Sequence, residues 1–183
     1  MTLNLRPKRH REGASAVEFA MVAAPFFFML FAVMELGVIF TTESVLQGAM
    51  MDSGRLVRTG RADNEGIDES EFKEELCSRM SIFQSDCLTR AHIDIRPIPQ
   101  FRNPDLPNPV QDGKAFDEDK TDYLIGQPGD LILVRVWYQQ PVVTPFLSQA
   151  LTKLDNGTIV MTATTAFRNE PFNPVAGGGG NTP

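Results

Sequence analysis

EGASAVEFAMVAAPFFFMLFAVMELG, Glu12 to Gly37, is apolar enough for a membrane, yet it carries Glu18 near its start and Glu35 near its end. A carboxylate in a hydrocarbon-bound helix is expensive. No charged residue lies between the two glutamates. A helix from Ala14 to Phe40 would rise about 40 Å, and the hydrocarbon core of a bilayer is about 30 Å. Both acids can therefore sit near opposite edges of the span. Arg6, Lys8, Arg9 and Arg11 precede it, which by the positive-inside rule holds that end in the cytoplasm and puts the body outside it.

The charge is divided along the chain. The first thirteen residues carry +3, which leaves −9 of the overall −6 for the rest. An acidic body is a poor partner for nucleic acid, because phosphate binding needs a basic face. Three ordinary readings of the apolar run compete. A cleaved secretory signal should have a shorter apolar region followed by small residues at a cut site. An uncleaved single-pass anchor of a periplasmic or surface binding protein fits the length. A buried core helix fits badly, because the run is apolar on all faces.

A further reading starts from Gly13. A basic leader, Gly13, then Ala14-Ser15-Ala16-Val17, then Glu18-Phe19 and an apolar helix resemble the type IV prepilins. More closely, the string GASAVEFAMVAAP, the later Glu35-Leu36-Gly37, and Arg168-Asn169-Glu170-Pro171-Phe172 resemble the TadE-like minor pilins of tight-adherence (Flp-type) pili. Gly129-Asp130, opening a strand that ends near Pro141 and Thr144-Pro145, belongs to the same likeness. The resemblance implies a minor pilin or pseudopilin, cut after Gly13 by a membrane prepilin peptidase and recruited to a pilus. Its implied partners are the membrane, that peptidase, the other minor and major pilins and the inner-membrane assembly platform. The implied location is a single pass through the inner membrane, N-terminus cytoplasmic and head periplasmic or extracellular, with incorporation in the pilus as a later stage.

The chemistry of such a cut is specific. Glycine leaves the backbone unhindered and extended for a protease. Cleavage strips the leader and creates an amine on Ala14, cationic near neutral pH. Among packed apolar helices that amine would be a costly unpaired charge, and Glu18 is its natural partner. A single buried polar pair of this kind also sets register, and Glu18-Phe19 is the expected register element. Glu35 reads as a carboxylate at the far headgroup level, or as a cross-subunit pair. Pro25 predicts a kink or local unwinding. Phe26, Phe27, Phe28 and Phe31 are apolar filling in lipid and a packing surface in a filament.

Beyond residue 40 the helix continues as an amphipathic one. Val45, Leu46, Ala49, Met50, Ser53, Leu56 and Val57 recur at three-to-four spacing, and Gly60 is a fitting stop. A second helix is signalled by Asp68 and Glu71 as a capping box, with Phe72, Leu76, Met80 and Phe83 on one face. Cys77 lies on it and Cys87 follows, in a loop leading to the first strand. The two could be buried thiols, half of a metal site, or a disulfide. With two histidines in the chain a metal site is poorly supplied, and export favours the bridge.

Three strands are expected: 91–96 (AHIDIR), with Ile93 and Ile95 inward and Asp94 and Arg96 outward, 131–139 (LILVRVWYQ), and 158–167 (TIVMTATTAF). A short helix is expected around 146–154, and 97–120 reads as a solvated loop. The expected fold is α+β, type IV pilin-like: one long N-terminal helix on an antiparallel sheet of three to four strands with one face solvated, plus one further helix. The parts are a leader at 1–13, a transmembrane helix at 14–40, its amphipathic extension at 41–60, a head at 61–172 and a glycine-rich tail at 173–183. No catalytic constellation is present: His92 is the body's single histidine, and Asp117-Glu118-Asp119 with Asp122 lacks the glycine of a calcium loop. The chain reads as a non-enzyme without cofactor, metal or small-molecule substrate.

Overall fold

The computed structural model describes residues 12–102, 106–111, 114–144, 147–151 and 154–172. The expected leader, except Glu12 and Gly13, and the expected tail lie outside them. The fold is α+β. Helix α1 runs from Glu12 to Arg58 without a break, so Pro25 causes no unwinding. Among the described residues four short helices follow: α3 (Glu69–Ser78) and α5 (Leu147–Leu151), which fall where helices are expected, and α2 (Arg61–Glu65) and α4 (Gln84–Arg90), which the sequence reading did not contain. Strands β1 (Ala91–Pro97), β2 (Leu131–Pro141) and β3 (Thr158–Arg168) form an antiparallel sheet in sequence order.

The second half of α1 is the helix that the sheet covers. Leu46, Ala49, Met50, Ser53, Leu56 and Val57 are buried, the stripe its periodicity predicts. They meet Ile93 and Ile95 of β1, Ile132, Val134, Val136 and Tyr138 of β2, and Met161 and Ala163 of β3 in one core. Gly54 lets β3 approach closely: a Cβ there would touch Phe167 and Thr165 at 3.5 and 3.6 Å. The helix stops at Gly60, which takes a left-handed φ of 74°.

Helix α3 begins with the expected capping box. Asp68 Oδ1 accepts from the Glu71 amide at 2.9 Å, and Glu71 Oε2 accepts from the Asp68 amide at 3.2 Å. Phe72, Leu76 and Met80 are fully buried, and Phe83 is half-buried. Cys77 and Cys87 form a disulfide with Cα atoms 5.4 Å apart. Cys87 lies on α4 rather than in a loop, so the bridge staples two helices.

The far face of the sheet is solvated along β3, where Thr162, Thr164 and Ala166 are exposed, as expected, but it is covered over β1 and β2. Asp94 does point away from the helix, but it is completely buried. Its Oδ2 accepts from Arg135 Nε and Nη2 at 2.9 and 2.7 Å, and its Oδ1 from Arg96 Nε at 2.8 Å and the Asp122 amide at 3.0 Å. The segment read as a solvated loop supplies the cover. Pro107 and Lys120 carbonyls accept from Arg135 and Arg96, and Phe116 stacks on His92 with centroids 4.1 Å apart. Residues 122–124 also pair with the exposed edge of β1, through Ile95 amide to Asp122 carbonyl and Leu124 amide to Ile95 carbonyl, both at 2.7 Å. An unpaired edge that would invite another strand is thereby closed over part of its length.

Candidate membrane-anchoring and assembly site

Among the described residues little covers the first half of α1. Phe19, Met21, Val22, Phe26, Met29, Phe31, Val33 and Met34 are each more than half exposed. The helix is long and apolar enough to cross a membrane, and 6% of its most apolar window is buried. A helix buries such a surface in lipid or against other apolar helices. The phenylalanines form a continuous face, Phe26 edge-on to Phe27 at 5.5 Å and Phe27 stacked on Phe31 at 6.3 Å.

Gly13 lies in the first turn of α1, not in extended backbone. The first amides of a helix lack intrahelical acceptors, so this turn opens at low cost. A Cβ on Gly13 would meet nothing within 4 Å. Glu18 and Phe19, one turn further on, are exposed. Glu18 has no ion-pair partner among the described residues.

Glu35 has a role that neither sequence reading contained. Its two carboxylate oxygens accept the backbone amides of Val143 and Thr144, the latter at 2.9 Å. The loop after β2 is thus clamped to the membrane-capable helix. No local signal could show this, because the partners are more than a hundred residues apart. Just beyond, Thr41 and Thr42 return their hydroxyls to the carbonyls of Gly37 and Val38 at 2.7 and 2.9 Å, which leaves the helix surface low in free donors.

Residues 13–55 match the family model described as TadE-like protein. The segment is TadE-like. The match begins at Gly13 and ends at Arg55 on α1, so the TadE-like segment holds both the exposed apolar half and most of the sheet-covered half. The likeness covers 43 of the 183 residues. Comparison with curated proteins and with solved structures found no match.

Outside the TadE-like segment, the two other strings of the resemblance come together in space. Asn169 donates its amide to the Asp130 carbonyl at 2.9 Å and accepts from the Gly129 amide at 3.2 Å. Its buried side chain donates to the Ile125 and Gln127 carbonyls at 3.0 and 3.2 Å. Glu170 then closes onto the end of α1, with its amide on the Arg58 carbonyl at 2.9 Å and its carboxylate on Arg58 Nε at 3.2 Å. The motif residues therefore fix the strand-opening turn and lock the last strand to the TadE-like helix. Among the described residues, no three side chains of His, Cys, Asp or Glu are grouped as a metal set.

Proposed function

We propose that this chain is a minor pilin, or pseudopilin, of a tight-adherence pilus, and that its work is structural rather than enzymatic. It inserts with the basic leader in the cytoplasm and the head outside. A prepilin peptidase cuts after Gly13, and the retained helix holds the subunit until other pilins and the inner-membrane assembly platform recruit it. The observation that carries this reading is the TadE-like match starting at Gly13, at the mouth of an apolar half-helix that the chain's own fold leaves exposed.

Glu18 supplies the assembly chemistry. In the precursor its carboxylate is exposed. Cleavage places a new ammonium on Ala14, four residues away and one helical turn below. In an apolar bundle the two neutralise each other, within one subunit or between neighbours, and the pairing fixes axial register. Phe19 and the phenylalanines from Phe26 to Phe31 then exchange lipid contact for helix contact.

Gly13→Val tests the cut: insertion should persist and processing should stop. Glu18→Ala tests the register role: cleavage should survive and pilus output should fall. Normal processing of the valine variant, or normal pilus output from a cleaved Glu18→Ala chain, would overturn the respective part. Persistence of the leader in a functional protein would favour an uncleaved membrane-anchored binding protein.

A further inference from the structure

The loop clamped by Glu35 faces the apolar side of α1 across a groove of about 670 Å³, lined by Phe27, Phe31, Met34 and Val38 on the helix, by Pro141 at the end of β2 and by Val143 on the loop. Val143 is 83% exposed, among the described residues the most exposed large apolar side chain after Ile82. We propose that residues 141–144 are a second membrane contact: Val143 enters the bilayer boundary nearer the head, and lipid acyl chains fill the groove between loop and helix. This inference rests on the reading that α1 spans the membrane.

Three observations lead to lipid as the occupant. First, depth fits. From Ala14 to Glu35 the helix rises about 32 Å, close to the thickness of the hydrocarbon core, so Glu35 and the loop stand at its far edge. Second, the groove is continuous with the exposed apolar surface of the span, and Phe31, Met34 and Val38 belong to both. Third, the loop is prepared for low polarity. Irregular backbone is tolerated at hydrocarbon depth when its polar groups are satisfied internally. The Val143 and Thr144 amides are both satisfied by Glu35, and Thr144 is itself buried. The acid that looks misplaced in an apolar helix is thus the acceptor that lets a loop approach lipid.

The test uses the full chain in nanodiscs at one copy per disc. Both cysteines are in the disulfide and none of the described ones is free, so an introduced thiol is labelled alone. An environment-sensitive fluorophore is placed at Val143→Cys, at Val33→Cys in the span and at exposed Ser70→Cys on the head. The expected result is blue-shifted emission at position 143, quenched by lipids carrying a nitroxide near the headgroup and not by aqueous iodide. Adding Glu35→Ala should release the loop and reduce that quenching. A position-143 label that behaves like the one at 70, while the label at 33 is quenched by deep nitroxides, overturns the loop contact and leaves the span intact. An aqueous signal at position 33 overturns the spanning reading itself. Blue-shifted emission at 143 without nitroxide quenching assigns the groove to protein, which also overturns the proposal.

Discussion

Phe172 lies across Gly60, so close that a Cβ on Gly60 would fall 2.2 Å from the ring's Cγ. The last described residue and the end of the first helix therefore share one site. Gly60 combines that contact with a left-handed backbone, which costs an L-residue about 1–2 kcal/mol by itself. Gly60→Ala should destabilise the protein by roughly 2 kcal/mol or more, since strain and clash act together. Truncation in Gly60→Ala/Phe172→Ala removes the clash, so the double variant should be more stable than the sum of the single losses. Urea unfolding of the detergent-solubilised chain measures this, and additive effects would count against the contact.

Asp94 is a buried acid held by two arginines. Removing it leaves buried Arg135 without a carboxylate and Arg96 with Asp122 alone, at 3.2 Å, and Asp94→Ala should cost roughly 3–5 kcal/mol. Replacing Asp94, Arg96 and Arg135 together with apolar residues of similar volume should recover most of that loss, because the desolvation of the charges disappears with them. A triple variant as unstable as Asp94→Ala would show that the far face depends on the ions themselves.

His92 gives the head a pH dependence. Burial lowers its pKa, with Glu118 acting to raise it and Lys73 to lower it. Its Nε2 lies 2.9 Å from Gln139 Nε2, while Gln139 Oε1 accepts from Asn156 Nδ2 at 3.0 Å. That orientation makes Nε2 an acceptor and favours the neutral ring, with Nδ1 donating toward Glu118 at 3.2 Å. Above the ordinary value of 6.5 both folded and unfolded states hold a neutral ring. As pH falls below it, the unfolded chain takes the proton first and stability is lost, until folded His92 also protonates. His92→Gln should flatten this part of the Tm–pH profile between pH 7.5 and 5. An unchanged slope would assign the acid loss to other groups.

The sequence made the local rules legible, and the structure follows them where one element decides the outcome. Alternation marks β1, and the long β-branched run marks β2. The Asp68–Glu71 capping box, the stripe from Leu46 to Val57 and the stop at Gly60 each fall where local chemistry puts them. Asp94 shows where such rules end. Alternation places it on the correct face, but its burial comes with Pro107, Phe116, Lys120 and Asp122 lying over β1 and β2, which no periodicity in β1 encodes. Glu35 is the same case at longer range, since its acceptor role depends on amides delivered by the far end of β2. Glu18 stays outside both classes: the partner proposed for it is the Ala14 amine, which only the proposed cleavage would create.

The Cys77–Cys87 bridge closes a short loop between α3 and α4, with both sulfurs buried. In the chain-entropy description a loop of this size contributes roughly 3 kcal/mol. Cys77→Ser/Cys87→Ser should lower unfolding stability by about 2–3 kcal/mol while keeping the α3 capping box and the sheet. Thiol labelling before and after reductant checks the bridge in the protein extracted from membranes. Full labelling without reductant would refute it.

Cleavage after Gly13 is the step on which the pilin reading turns, because it removes the basic leader and creates the partner of Glu18. Intact-mass and N-terminal peptide mass spectrometry of the protein extracted from membranes reads it directly. The expected N-terminus is Ala14, followed by Ser15-Ala16-Val17-Glu18. A chain that still begins Met1-Thr2-Leu3, in cells with an active prepilin peptidase, would contradict it.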